Sequence, residues 1–553
     1  MRKHLVLSPL YLSLALSGVS HTALAERKVP EDLFQDVWDG IADIFPSPQA
    51  KNGRQRLVRL NFDRLKADAI NLNIFDDTLL VAEKDRVVDN VHGHSAWIGH
   101  LQGEPDSEVI LAVIGNTMAG TVKRGTGEVY EILSNGDDTH TIREVDTTKI
   151  LPHKDPIPDV EMDPDLANAP AASDAEASAN EPPMAAASTG DTIVDLMVVY
   201  TPKARANAGG TSGIQAKIVK AVEAANQAYI NSKVHLKLNL VRMAEVSYKE
   251  SGDMARTLND LRGTSDGKMD IVHSWRNQYG ADQVALVSAD ANYCGIAYQM
   301  TRLSSSFALY AFAVVHDDSK AYCLAAQTLA HELGHNQGNA HDRANSSSPG
   351  IYSYSYGHRL CQSGGFRTIM SYACSGATRI SNFANPNVYY NGKATGIDPN
   401  INPSKAAATA WSIEKARSVV AAWRASKVTA SAPAAPSGLR TAARSDDEIV
   451  LRWKDNSDNE EGFKVERSDD GVNWDEVALL GHNTTRFANT GLSPSTRYSY
   501  RVSAYNGAAQ SAPSEIVTTA TTSTMTGSAR TTGKPTDEAS WLNSFGFRRF
   551  IRH

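Results

Sequence analysis

Cysteine is almost missing from this chain: four in 553 residues, Cys294, Cys323, Cys361 and Cys374, all within one 81-residue window. No C-x-x-C spacing occurs among them, so a structural zinc site built from four thiolates has no support. Long apolar runs are missing too. Beyond the first residues nothing approaches the eighteen or so apolar side chains that cross a bilayer, and no stable membrane span is expected. Basic excess is also lacking: the formal net charge is -7, which argues against a nucleic-acid partner. At this length a single core is excluded, and three or four domains are expected.

The one apolar run that exists is at the start. Arg2, Lys3 and His4 precede a mostly apolar Leu5 to Val19, and Ala23-Leu24-Ala25 offers small residues where a signal peptidase reads. Residues 1–25 are therefore expected to be a signal peptide and the protein to be secreted. In an oxidising compartment four cysteines favour two disulfides inside one domain. Three pairings are open. The local ones, Cys294–Cys323 and Cys361–Cys374, would each contribute about 3 kcal/mol by the chain-entropy model.

Composition divides the rest. Residues 26–151 carry short alternating segments, such as Val109 to Ile114 and Glu128 to Ile132, separated by glycine turns at hairpin distances, and predict a small β-rich domain. Residues 152–190 are rich in Pro, Ala and Ser, with eight acidic side chains and one lysine, and read as a linker unable to order itself. From 191 to 428 strands and helices alternate. Ile193 to Tyr200, Val234 to Val246, Gln283 to Ser288 and Ala308 to Val315 predict strands, while Gly213 to Tyr229, Met254 to Leu261 and Met269 to Gln278 predict helices. That order implies an α/β domain with a mixed, largely parallel sheet.

The chemistry lies in His331-Glu332-Leu333-Gly334-His335-Asn336-Gln337-Gly338-Asn339-Ala340-His341. On a helix His331 and His335 differ by about 40° in azimuth and share a face. Ala321 to Ala330, free of proline and glycine, predicts helix leading into them. Two neutral imidazoles there can hold Zn2+, and Glu332 is placed to take a proton from water rather than to ligate. On a continuing helix His341 would point away, about 240° round from His335. Gly338 can take a left-handed conformation, end the helix and return His341 as a third ligand. Three protein ligands leave the fourth position open, the mark of a catalytic zinc.

The run His331 to His341 resembles the elongated metzincin motif, and Met370 in Thr368-Ile369-Met370-Ser371-Tyr372 resembles the metzincin Met-turn. Asp342 resembles the reprolysin/adamalysin branch, and residues 192–424 as a whole resemble the bacterial reprolysin-like enzymes, including those called peptidyl-Asp metalloendopeptidases. His94 to Val113 is similar to the propeptides of that group. The resemblance implies a zinc metalloendopeptidase made as a zymogen, acting on protein or peptide substrates, with 26–151 as its propeptide. The animal members' propeptide cysteine has no counterpart here, since residues 26–190 contain none; latency is expected from another ligand or from steric cover. Tyr372 is read either as a zinc-proximal group, as in astacins and serralysins, or as a packed aromatic under the site.

A peptide substrate is expected to lie extended along an edge strand, with Gly295 to Met300 as the candidate and Gly295 and Ala297 as contact points. Resemblance to the peptidyl-Asp enzymes implies an acidic residue after the scissile bond, which needs a cation in its pocket. Arg379 is the first candidate and Arg367 the second. Nothing in the sequence fixes a structural calcium.

Residues 435–521 carry strands at sandwich spacing, with Trp453 and a Leu492…Tyr498 pair that resemble a fibronectin type III domain. This β-sandwich is expected to space the enzyme or contact a substrate or surface. The tail, 522–553, ends aromatic and basic. Two rival functions stand: an inactive, protease-like adhesion protein, and a zinc hydrolase of something other than proteins. The intact Glu332 and three histidines argue against the first, the propeptide-like half against the second.

Overall fold

Alternating segments joined by tight turns pair with their nearest neighbours in sequence, and the N-terminal domain becomes an antiparallel meander. The computed structural model describes residues 32–37, 54–89, 94–159, 191–289, 292–317, 322–427, 432–457, 460, 462–481, 484–505 and 509–523. The expected signal peptide, residues 160–190 of the acidic stretch and the tail from 524 lie outside the described residues.

Nine strands make the first sheet: β1 (Phe34–Asp36), β2 (Gln55–Leu60), β3 (Ala69–Phe75), β4 (Thr78–Asp89), β5 (His94–Leu101), β6 (Glu104–Ile114), β7 (Thr117–Lys123), β8 (Val129–Ser134) and β9 (Thr139–Glu144), in the order β1-β2-β9-β8-β7-β6-β5-β4-β3. Leu33 N–H donates to Asn71 O at 3.0 Å, bringing the first strand back to the last. One face encloses Leu33, Val58, Ile70, Trp97 and Leu111. Alternation sends Ala96, Ile98, Ile110 and Ala112 to the other face, where they join the core of the next domain.

That domain is a six-stranded sheet. Its strands are β10 (Ile157–Pro158), β11 (Thr192–Tyr200), β12 (Leu236–Glu245), β13 (Gln283–Ser288), β14 (Gly295–Gln299) and β15 (Phe312–His316), ordered β10-β14-β15-β13-β11-β12. Every neighbouring pair is parallel except β14 with β15. The helices are α1 (Pro202–Asn207), α2 (Thr211–Asn231), α3 (Met254–Arg262), α4 (Ile271–Tyr279), α5 (Thr328–Asn336) and α6 (Thr409–Val420).

Helix α2 is buried nearly all round, charged positions included: Lys217 is 5% exposed and Lys220 1%. Burial at that cost requires partners. Lys217 Nζ lies 2.7 Å from Asp317, and Lys220 Nζ donates to Glu131 of β8 at 3.1 Å, where Arg143 of β9 also binds. The N-terminal sheet thus supplies the carboxylate that α2 needs.

Three local expectations differ from what is found. The helix before His331 begins at Thr328 rather than running from Ala321, because Gln327 sits in the left-handed region (φ 59°) and Cys323 is drawn to Cys294. Ala308 does not belong to a strand; Ser305–Leu309 is a 3-10 turn, and pairing starts at Phe312. The stretch expected to be unordered from residue 152 is placed as far as 159, since β14 offers its free edge to Ile157 and Pro158.

Both local disulfides form, Cys294–Cys323 and Cys361–Cys374. The C-terminal sandwich has three strands (Ser437–Ala443, Ile449–Lys454, Arg486–Asn489) against four (Asp475–Gly481, Gly462–Ser468, Arg497–Tyr505, Val517–Ala520). Trp453 packs at 5.6 Å on Phe463, and Tyr498 Oη accepts from Ser493 N–H at 3.1 Å.

Candidate metal centre and active site

Helix α5 carries His331 and His335 on one face, and Gly338 ends the turn with φ +88°. The chain then doubles back into β16 (Ala340–Asp342), which returns His341. Their Nε2 atoms converge: 3.1 Å between His331 and His341, 3.2 Å from His335 to each of the other two. Three nitrogens about 2.0–2.1 Å from a tetrahedral zinc would stand roughly 3.3 Å apart, so the donor set fits Zn2+.

The other ring nitrogens fix the tautomers. His331 Nδ1–H donates to Ile369 O and His335 Nδ1–H to Asn339 O, each at 2.8 Å, leaving the Nε2 lone pairs free. All three rings are buried. Burial pushes His331 and His335 well below the ordinary imidazole range and His341 down to about 3, so all are neutral, as ligation requires.

Met370 lies beneath this tripod, fully buried, with no room for a side chain at Gly334: a Cβ there would sit 2.6 Å from its sulfur. Asp342 ties the turn to the motif. Its Oδ2 accepts from Tyr372 N–H at 3.0 Å, and its Oδ1 meets Arg359 at 3.0 Å. Sequence reading took Asp342 only as a branch marker and missed Arg359.

Glu332 is buried beside the tripod, and burial raises its carboxyl well above the usual range, with Arg379 opposing. Gly295 makes the space for it: a Cβ there would fall 2.4 Å from Oε1. The Tyr372 ring stands 4.3 Å from that of His341, with its hydroxyl engaged by His153 O (3.2 Å) and Asp155 Oδ1 (3.1 Å). Strands β18 (Gly365–Arg367) and β19 (Ala377–Arg379), after the short β17 (Tyr356–Gly357), place Arg367 opposite Arg379 in parallel register. Arg379 Nη2 donates to Ile369 O at 2.5 Å; Arg367 Nη1 donates to Ser371 O at 2.9 Å and is lowered by burial to about 10. Both line a cavity of about 300 Å³ that lies between the two domains, with Gln327, Ala377 and Thr378 on one side and Ile110, Lys123 and Val129 of the N-terminal sheet on the other. Of the edge-strand candidates, Gly295 uses its carbonyl to bind Lys154 N–H (3.0 Å), while Ala297 pairs with Ala313 of β15.

His153 was not singled out by sequence. Its ring stacks on that of His331 at 3.7 Å, and its Nδ1 lies 2.8 Å from Glu332 Oε1.

A profile for metallopeptidase family M12 matches residues 190–384, and one for the fibronectin type III domain matches 434–520. A peptidyl-Asp metalloendopeptidase of Xanthomonas campestris pv. campestris is 34% identical over 319 residues, 55% of this chain and 71% of that one. One of Stenotrophomonas maltophilia is 32% identical over 338 residues, 57% of this chain and 75% of that one. This chain belongs to metallopeptidase family M12, with the bacterial peptidyl-Asp metalloendopeptidases. It is a zinc metalloendopeptidase, a peptide hydrolase, and the alternative of an inactive adhesion protein falls away. None of the described helices is long and apolar enough to cross a membrane.

Proposed function

We propose that this enzyme is exported as a zymogen and cleaves proteins with Glu332 as its general base, His331, His335 and His341 holding the zinc. The convergence of three neutral Nε2 atoms within 3.2 Å, with the Glu332 carboxyl beside them, carries the reading. Zinc, when bound, would polarise the scissile carbonyl and acidify the attacking water. Glu332 takes the proton from that water and returns it to the leaving amine, its enclosure by Gly295 keeping it on line. Tyr372, over His341, donates its hydroxyl to the oxygen of the scissile carbonyl. The substrate main chain adds to the edge of β14, through groups such as Gly295 O.

The name of the two relatives suggests an acidic residue after the scissile bond. Arg379 and Arg367, paired across β18 and β19 on a wall that the N-terminal domain faces, support that preference here once that domain has left. The N-terminal β-domain covers the cleft and is removed on maturation within residues 160–190. The fibronectin type III domain, whose Leu479 and Tyr505 pack into the catalytic core, presents the enzyme to a substrate or surface. Incubation of the processed protein with casein, with and without a zinc chelator, tests the reading. Chelator-sensitive cleavage is expected; cleavage indifferent to metal removal would overturn it.

A further inference from the structure

Between the N-terminal sheet and residue 160 the chain enters the cleft. Pro152 O accepts from Cys294 N–H at 2.8 Å, Lys154 N–H donates to Gly295 O at 3.0 Å, and Ile157–Pro158 pair in parallel with Tyr298–Gln299. Thr301 holds the far end, through N–H (3.2 Å) and hydroxyl (2.5 Å) to Asp159 Oδ1. Tyr372 clamps the middle. This strap fills the edge of β14 that a substrate needs.

One side chain of the strap does more than fill space. The His153 side chain is 5% exposed, inserted between two charged groups of the catalytic domain. His153 Nε2 lies 3.3 Å from Arg379 Nη1, which can only donate, and His153 Nδ1 lies 2.8 Å from Glu332 Oε1; the tautomer with its proton on Nδ1 satisfies both contacts at once. Parallel stacking at 22° on His331 leaves no gap for water between the rings. A single imidazole thus occupies both the carboxylate and the guanidinium.

We infer that His153, carried into the cleft by the strap Pro152–Asp159, is the group that holds the site shut, by engaging Glu332 and Arg379 together. The inference rests on the reading of Glu332 as the base. Latency by this route needs no thiol, which accords with the lack of cysteine in residues 26–190. It also leaves the strap uncut where it lies, since the carboxylate that would activate water is already bonded to the strap. Leaving the cleft frees Glu332 Oε1 and Arg379 Nη1 in one movement.

The test uses the full chain, with attachment of the N-terminal domain followed by intact mass and cleavage of a short fluorogenic peptide as one readout. His153→Ala should hydrolyse the peptide while still uncleaved, about 10²-fold above the uncleaved wild type, as expected for a released base. Hydrogen exchange is the second readout, which a purely catalytic change would not move: protection at the Lys154 and Cys294 amides should fall in the variant. His153→Asn, shorter and still polar, serves the same comparison should the alanine variant not fold. A folded, uncleaved variant as silent and as protected as wild type overturns the inference, and the main-chain pairing alone is then the block. The processed wild type is the control for the underlying reading. If it is active while uncleaved His153→Ala is silent, only the latch is wrong; if it is inert, the proteolytic reading itself fails.

Discussion

Gly295 and Glu332 meet so closely that a methyl group on the glycine would sit 2.4 Å from the carboxyl oxygen. The edge strand and the active-site helix are thus matched at one atom. Gly295→Ala should push Glu332 off line, lowering kcat by about 10²-fold or more. Metal content measured by atomic spectroscopy should stay at one zinc, since the tripod is elsewhere. Normal turnover with alanine would show that Glu332 does not need this position.

Glu332→Gln tests the base directly. The amide fits the same space but cannot take a proton, so the processed variant should fold and keep zinc while losing roughly 10²–10⁴ in kcat. A near-wild-type rate with metal bound would sink the assignment.

Asp342→Ala removes the acceptor for Tyr372 N–H and the partner of Arg359. With Arg359 partly solvated, the expected loss is about 2 kcal/mol, read as a lower Tm of the catalytic domain. Zinc affinity should fall as well, because the same strand carries His341. An unchanged Tm and an unchanged affinity would leave Asp342 with no anchoring role.

His140 gives the N-terminal domain a pH dependence of known sign. Met118 N–H donates to its Nε2 at 3.0 Å, and burial lowers its pKa to about 4. A depressed folded value means that the stabilisation is complete above the ordinary 6.5 and is lost as pH falls through about 4. The Tm of this domain should drop across that window. His140→Gln, which can still accept from Met118 but does not titrate, should reduce the slope and leave the share of His94, which burial also lowers to about 4; an equal slope in the variant would place the whole titration elsewhere.

Arg379→Ala addresses specificity. Cleavage of a peptide library by processed wild type should favour acidic residues after the scissile bond, and the variant should lose that bias by about tenfold or more in kcat/KM while cleaving neutral peptides. A variant that keeps the preference would shift the role to Arg367.

What could be read from the sequence was what local spacing determines. His331, Glu332 and His335 sit on one helical turn, and Gly338 takes the positive φ that returning His341 demands. The strands of the sheet were visible as apolar runs. The start of α5 was not: ten residues without proline or glycine propose a longer helix, but the bridge from Cys323 to Cys294 and the left-handed Gln327 override propensity. His153 was hidden for a different reason. It acts on a residue 179 positions away, and composition around it says linker. The signal that existed was Pro152, Pro156 and Pro158, which bias the residues before them towards the extended backbone an edge strand accepts.

The two bridges have a consequence for how such a chain oxidises. With four cysteines, all paired and all in the catalytic domain, a chain oxidised for the first time sorts among only three pairings. A fifth sulfur in the strap would multiply the wrong partners and would itself be consumed by the oxidants that complete the bridges. An imidazole stands outside that competition. Alkylating reagents and mild oxidants should therefore leave the closed form closed, in contrast to any protease shut by a sulfur on its metal.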